Sequence, residues 1–213
     1  MAAPIKAPPS DTFDQSTLEK AAKIPVLSEN GESVTFGSLF ENQKTIVVFI
    51  RHFFCGVCKM YVEELAKVPK SALDAAGTRI VVIGCGEPSL IKMYKEETKF
   101  PYEIYAEPTR ALHKTLGLMQ NMAGPTGDEP RRRYAKNVFT TSVVAAWYTL
   151  KNIGLFSKAG NITQNGGEFI LGPGLHVTYG RRMRNSQDHV DVPELMQEAG
   201  VAYPAEGEAS TSN

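Results

Sequence analysis

The stretch Ile46-Val-Val-Phe-Ile50-Arg51-His52-Phe-Phe-Cys55-Gly56-Val57-Cys58-Lys59 decides how the chain is read. It opens with an unbroken apolar run from Ile46 to Ile50. Such a run fits a strand buried on both faces, as in a parallel sheet. From Val57 the period changes. Val57, Tyr61, Leu65 and Val68 share one face of a helix, while Lys59, Glu63, Glu64 and Lys67 fall mostly on the other. Cys55 sits at or just before the helix start, and Cys58 lies about one turn inside it.

That placement has chemical consequences. A helix N-terminus offers unpaired N–H groups and the positive end of the dipole, and both favour a thiolate over a thiol. A cysteine pKa of about 8.5 falls to roughly 3.5–7.5 in such settings. Arg51 and His52 are close enough in sequence to add to the effect, and Gly56 frees the backbone between the thiols. Three readings stand side by side. A Cys-x-x-Cys at a strand-to-helix junction is the placement of a redox dithiol. It could also be half of a zinc site completed by Cys85 and a histidine, or a buried structural pair.

Composition narrows the class. The 213 residues suit one large domain or two small ones. Lys+Arg and Asp+Glu are both 23, so the net charge is zero, which argues against a general binder of nucleic acid or membrane surfaces. No segment approaches the ~20 apolar residues of a membrane span. The start, Met1-Ala-Ala-Pro-Ile-Lys6, lacks an apolar core of signal-peptide length, so secretion is not expected. Three cysteines do not make a secreted disulfide framework, and the expectation is a reducing, cytoplasmic setting.

Outward from the central stretch, the remaining elements follow. Residues 1–22 form an N-terminal extension, with a short helix expected near Thr17 to Lys23. Asn30-Gly31 marks a hairpin between Ile24–Leu27 and Ser33–Phe36, and Gly37 to Phe40 suits a helical turn. Arg79–Gly84 is a second buried strand with Cys85 just past its end. A helix after Pro88 carries Leu90, Ile91 and Tyr94, a short strand covers Glu103–Ala106, and a further helix stops at Gly117. Residues 119–137 read as loop, and their run Arg131-Arg132-Arg133 is either a solvated face or a site for an anionic group. Helical spacing returns from Thr141 to Gly154, with Trp147 in its apolar stripe. Gly172-Pro173-Gly174 joins two strands, Gly166–Leu171 and His176–Tyr179, and Val192–Ala199 makes a last helix stopped by Gly200. The domain proper is expected over 23–202, followed by a disordered tail at 203–213. Alternating β and α elements predict an α/β fold, a central mixed sheet with helices on both faces and an N-terminal hairpin extension. Right-handed crossovers bring Cys85 to the sheet edge that carries Cys55 and Cys58, where ligands bind in such sheets.

The order from Ile24 to Glu64 resembles the opening of a peroxiredoxin. The string from Val48 to Lys59, together with Gly166-Gly167-Glu168-Phe-Ile-Leu-Gly-Pro173, is similar to the peroxiredoxin-like 2 family, AhpC/TSA antioxidant-domain proteins that carry Cys-x-x-Cys. The resemblance spans about residues 24–200. It implies a thioredoxin-like fold and thiol oxidoreductase activity, with reduction of a prostaglandin-type endoperoxide in some relatives. Where peroxiredoxins carry a Thr three residues before the attacking cysteine, this chain has His52 for Cys55 and Cys55 for Cys58. Gly167 stands where thioredoxins place their cis-Pro.

Two functional expectations result. In the first, the protein reduces peroxide or disulfide bonds. Cys55 is the more exposed nucleophile and Cys58 the resolving thiol. Arg51 stabilises the thiolate or the leaving oxyanion, unless it is spent on a surface salt bridge. His52 is a proton donor or a packing residue. Cys85 is a second resolving thiol or a buried strand-end cysteine. No bound cofactor or metal is expected, and thioredoxin or glutathione would supply electrons. In the second, oxidation of the dithiol switches a non-catalytic binding surface. The sequence leaves the oligomeric state open.

Overall fold

The computed structural model describes residues 11–125, 132, 134 and 153–203. Its centre is a seven-stranded mixed sheet of order β2-β1-β5-β4-β3-β6-β7. The strands are β1 Pro25–Leu27, β2 Ser33–Thr35, β3 Lys44–Phe49, β4 Thr78–Gly84, β5 Glu103–Ala106, β6 Gly167–Leu171 and β7 Val177–Arg182. The described helices are α1 Gln15–Ala22, α2 Gly56–Leu65, α3 Lys70–Ala75, α4 Ile91–Thr98, α5 Ala111–Thr115 and α6 Val192–Ala199. The apolar run from Ile46 is the middle strand, parallel to β4 and antiparallel to β6. Strand alternation divides its side chains. Ile46 and Val48 face one core with α2, α4 and α6; Val47 and Phe49 face a second with α1 and α5. Helices therefore cover both faces.

The hairpin expected at Asn30-Gly31 forms, with Pro25 opposite Thr35. It is no appendage, because Leu27 pairs with Ala106 and so extends the main sheet. Helix α1 is capped by the Asp14 carboxylate, which accepts from the Thr17 N–H at 2.7 Å, and it buries Leu18 and Ala21 against the sheet. Pro69 ends the helical region after α2, and α3 starts behind it. The final helix stops at Gly200 in the left-handed conformation (φ 67°). The helix expected over 141–154 with Trp147, and the tail beyond Tyr203, lie outside the described residues, apart from a 3-10 turn at Ile153–Lys158.

The parallel pairing of β3 with β4 sets their C-terminal ends side by side, so the loops carrying Cys55 and Cys85 share an edge. The segment before β6 closes over that edge. Phe53 N–H donates to Ala159 C=O at 3.1 Å, and Glu87 N–H to Lys158 C=O at 2.8 Å. Two glycines allow this approach. A Cβ on Gly166 would lie 1.8 Å from the Phe49 carbonyl oxygen, and one on Gly160 (φ 101°) would lie 2.7 Å from the Cys85 sulfur. Among the described residues no helix is long and apolar enough to cross a membrane.

Candidate active site

Cys55 is the N-cap of α2. Its backbone is extended (φ −78°, ψ 108°), and its sulfur accepts from the Cys58 N–H at 3.4 Å, in the place of a capping oxygen. Arg51 leaves the end of β3 and turns its guanidinium back over the loop. Nη1 donates to the Cys55 sulfur at 3.7 Å and Nη2 to the Ile162 carbonyl at 2.7 Å. Arg51 is 8% exposed and, among the described residues, its guanidinium goes to the Cys55 sulfur and the Ile162 carbonyl and makes no ion pair with a carboxylate. Its backbone also serves the site. The Arg51 N–H reaches the Cys58 sulfur at 3.4 Å, and the Arg51 carbonyl accepts from the Cys85 thiol at 3.0 Å.

The two thiols of the motif differ in state. The hydrogen bond from the Cys58 thiol, with the neighbouring His52 and Arg51 and the Cys58 N–H, holds Cys55 well below the ordinary cysteine pKa despite burial. Burial, together with the neighbouring Cys55, pushes Cys58 well above it. Cys55 is therefore the more acidic thiol of the pair and Cys58 the less acidic. Both are buried, Cys55 at 5% exposure and Cys58 at 0%. The expected order of exposure holds, yet Cys55 is far less open than a surface nucleophile. His52 is also buried; burial lowers its pKa, against the nearby Cys55, which raises it, and its Nδ1 has no partner among the described residues. Cys85 is buried and pushed up to about 11 by burial. No group of three His, Cys, Asp or Glu among the described residues is arranged to hold a metal ion.

A family model described as AhpC/TSA antioxidant enzyme matches residues 64–185, starting beyond the dithiol. Human Peroxiredoxin-like 2C is 35% identical over 95% of this chain and 88% of its own. The chain belongs to the peroxiredoxin-like 2 family. A more distant relative of this peroxiredoxin-like chain is the Prostamide/prostaglandin F synthase of Xenopus tropicalis, 27% identical over 81% of this chain and 82% of its own. Among solved structures, reduced Prx3 of Vibrio vulnificus in complex with H2O2 superposes with a TM-score of 0.59 at 13% identity. It covers 83% of this chain and 94% of that one. At that identity it shows the thioredoxin fold of the peroxiredoxins, and the sheet described above is that fold. Family and fold together give this peroxiredoxin-like chain a thiol-dependent redox character.

Sequence reasoning missed a second group of residues in this peroxiredoxin-like site. His189, in the loop before α6, points Nε2 at the Cys58 sulfur at 3.5 Å and Nδ1 at the Glu168 carboxylate on β6. Its ring stacks on Tyr61 of α2, with centroids 4.3 Å apart and planes 4° from parallel. Its N–H donates to the Tyr134 hydroxyl at 3.0 Å, and that hydroxyl donates to the Gln187 carbonyl at 2.6 Å. One signal was available: Glu168 heads an otherwise apolar strand segment, and a charge there needs a partner. Nearby, Asp188 accepts from both Arg181 and Arg132, the latter at 2.7 Å. The Arg132 charge is thus committed to an internal carboxylate, neither a solvated face nor an open anion site. Arg131 and Arg133 lie outside the described residues.

Proposed function

We propose that this protein is a thiol-dependent reductase of peroxide bonds, with disulfides as the slower substrate class. The observation that supports this most directly is Cys55 as the N-cap of α2, its sulfur receiving the Cys58 N–H and facing the Arg51 guanidinium. The Cys55 thiolate attacks one oxygen of an O–O bond. That oxygen stays on sulfur as a sulfenic acid, and the other leaves as an alkoxide or hydroxide that takes up a proton. Arg51 stabilises the departing oxyanion, and His52 offers a ring N–H to it. The Cys58 thiol then displaces the sulfenic oxygen as water and forms the Cys55–Cys58 disulfide. An external dithiol, thioredoxin or glutathione by expectation, restores both thiols. Low exposure of Cys55 favours small hydroperoxides over protein disulfides, since a bulky partner reaches a buried sulfur only by local opening. An endoperoxide carries the same O–O bond, and a prostaglandin F synthase among the relatives supports including one among the substrates assayed.

The test is oxidation of reduced protein by one equivalent of hydrogen peroxide or an organic hydroperoxide. The thiols are then alkylated and mapped, in parallel with NADPH consumption in a thioredoxin-coupled assay. The expected outcome is a Cys55–Cys58 bond and NADPH turnover, both lost in Cys55→Ser. A Cys55–Cys85 bond or disulfide-linked dimers would remove Cys58 from the resolving role. Disulfide formation without turnover, but with altered partner binding, would favour the redox-regulated binding module.

A further inference from the structure

We propose that His189 is a catalytic base for the resolving step, held in the right tautomer by Glu168 and switched on by oxidation of Cys55. The inference rests on the reading of Cys58 as the resolving thiol. Its geometry is a buried chain, Cys58 Sγ to His189 Nε2 at 3.5 Å and His189 Nδ1 to the Glu168 carboxylate, with Cys58, His189 and Glu168 all at 0% exposure.

In the proposed tautomer Nδ1 donates to the Glu168 carboxylate and Nε2 presents a lone pair to Cys58. The ring is fixed by its stack on Tyr61 and by the Tyr134 hydroxyl on its backbone N–H. The Cys58 thiol has one hydrogen and two acceptors in reach, the Cys55 sulfur and His189 Nε2. While Cys55 is a thiolate, the charged acceptor takes it. Once Cys55 becomes a sulfenic acid that charge is gone, and the hydrogen turns to His189. Cys58 then attacks the Cys55 sulfur: the S–S bond forms, the S–O bond breaks, and the Cys58 proton passes to Nε2. The departing hydroxide takes a proton from solvent and leaves as water, while His189 keeps the Cys58 proton as an imidazolium paired with Glu168. The Arg51 N–H at 3.4 Å supports the charge developing on Cys58. When an external dithiol later attacks Cys55, the Cys58 thiolate leaves and recovers its proton from His189.

Other groups facing the pair do not compete. Tyr61 from α2, Tyr134, and Tyr179 from β7 are raised above the ordinary tyrosine pKa by burial, so they keep their protons near neutrality. Arg51 is a permanent cation, and Asp191 sits at the start of α6.

The experiment follows disulfide formation by rapid quench in His189→Gln and Glu168→Gln, after oxidation either by hydrogen peroxide or by a small aromatic disulfide that leaves a mixed disulfide on Cys55. In His189→Gln the step should slow by about 100-fold at pH 7, with a dimedone-trapped sulfenic acid accumulating on Cys55. The deficit should shrink as pH rises and Cys58 ionises unaided. Glu168→Gln acts through His189 and should slow the step by about 10-fold with the same pH trend. A merely structural role predicts a deficit that does not shrink with pH. Resolution at the wild-type rate in both variants, or a pH-independent deficit, overturns the proposal. If His189→Gln does not fold, Glu168→Gln and a slower wild-type resolution in D2O than in H2O carry the test, and absence of both effects overturns it. If peroxide fails but the aromatic disulfide is resolved with the expected His189 dependence, the peroxidase reading falls and this one stands.

Discussion

The Arg51 guanidinium stands 3.7 Å from the Cys55 sulfur, four residues along the same loop, and both are buried at the end of the central strand. A cation at that distance in a poorly solvated site acts on the thiolate with little screening. Arg51→Met should therefore shift the pH midpoint of Cys55 alkylation by iodoacetamide upward by about 1 pH unit, and Arg51→Lys by less. An unchanged midpoint in Arg51→Met would mean that the Arg51 charge does not set the acidity of Cys55.

The hydrogen bond from Cys58 is the largest influence lowering the Cys55 pKa. A serine at 58 keeps an O–H donor and an alanine does not. Cys58→Ser should thus retain fast alkylation at neutral pH and one turnover, then stall as a sulfenic acid or mixed disulfide. Cys58→Ala should raise the alkylation midpoint as well. Equal midpoints in the two variants would assign the effect to the Cys58 N–H instead. A faster, more acidic thiol at Cys58 in Cys55→Ser would reverse the roles of the pair.

Burial pushes Cys85 up to about 11, and its thiol donates to the Arg51 carbonyl. The sign of the linkage is set by a folded pKa above the unfolded one. The stabilisation is whole below the unfolded cysteine value and is lost as pH rises through about 11. Urea melts between pH 8 and 11 should show wild type losing roughly 2–3 kcal/mol more than Cys85→Ala across that window. In native protein Cys85 should resist iodoacetamide at pH 8 and react after denaturation. Alkylation as fast as that of Cys55 would contradict its packing beneath Arg51.

Much of the fold was legible because it rests on short-range patterns. The Ile46–Ile50 run, the change of period at Val57, the Asn30-Gly31 turn and the stop at Gly200 each depend on residues within a few positions of one another. The placement of Cys55 at a helix start, with Arg51 and His52 beside it, was local in the same way. The depth of the dithiol was not. That Cys55 is 5% exposed depends on the segment before β6 closing over the loop, which Gly160 and Gly166 permit by leaving no Cβ in the way.

By itself, then, the sequence determined the strand, the helix that follows it and a cysteine at their junction, because the change of period and the cap are set within a few positions of one another. Only the tertiary structure decided what lies against the second thiol. His189 is separated from Cys58 by 131 positions and from Glu168 by 21. No spacing rule links them. They meet because β6 pairs antiparallel to β3, setting Glu168 opposite Val48, and because the chain returns after β7 over the face that α2 covers. The geometry of a buried Cys–His–Glu chain is fixed by strand register and helix packing, long-range relations that a local pattern of residues does not encode.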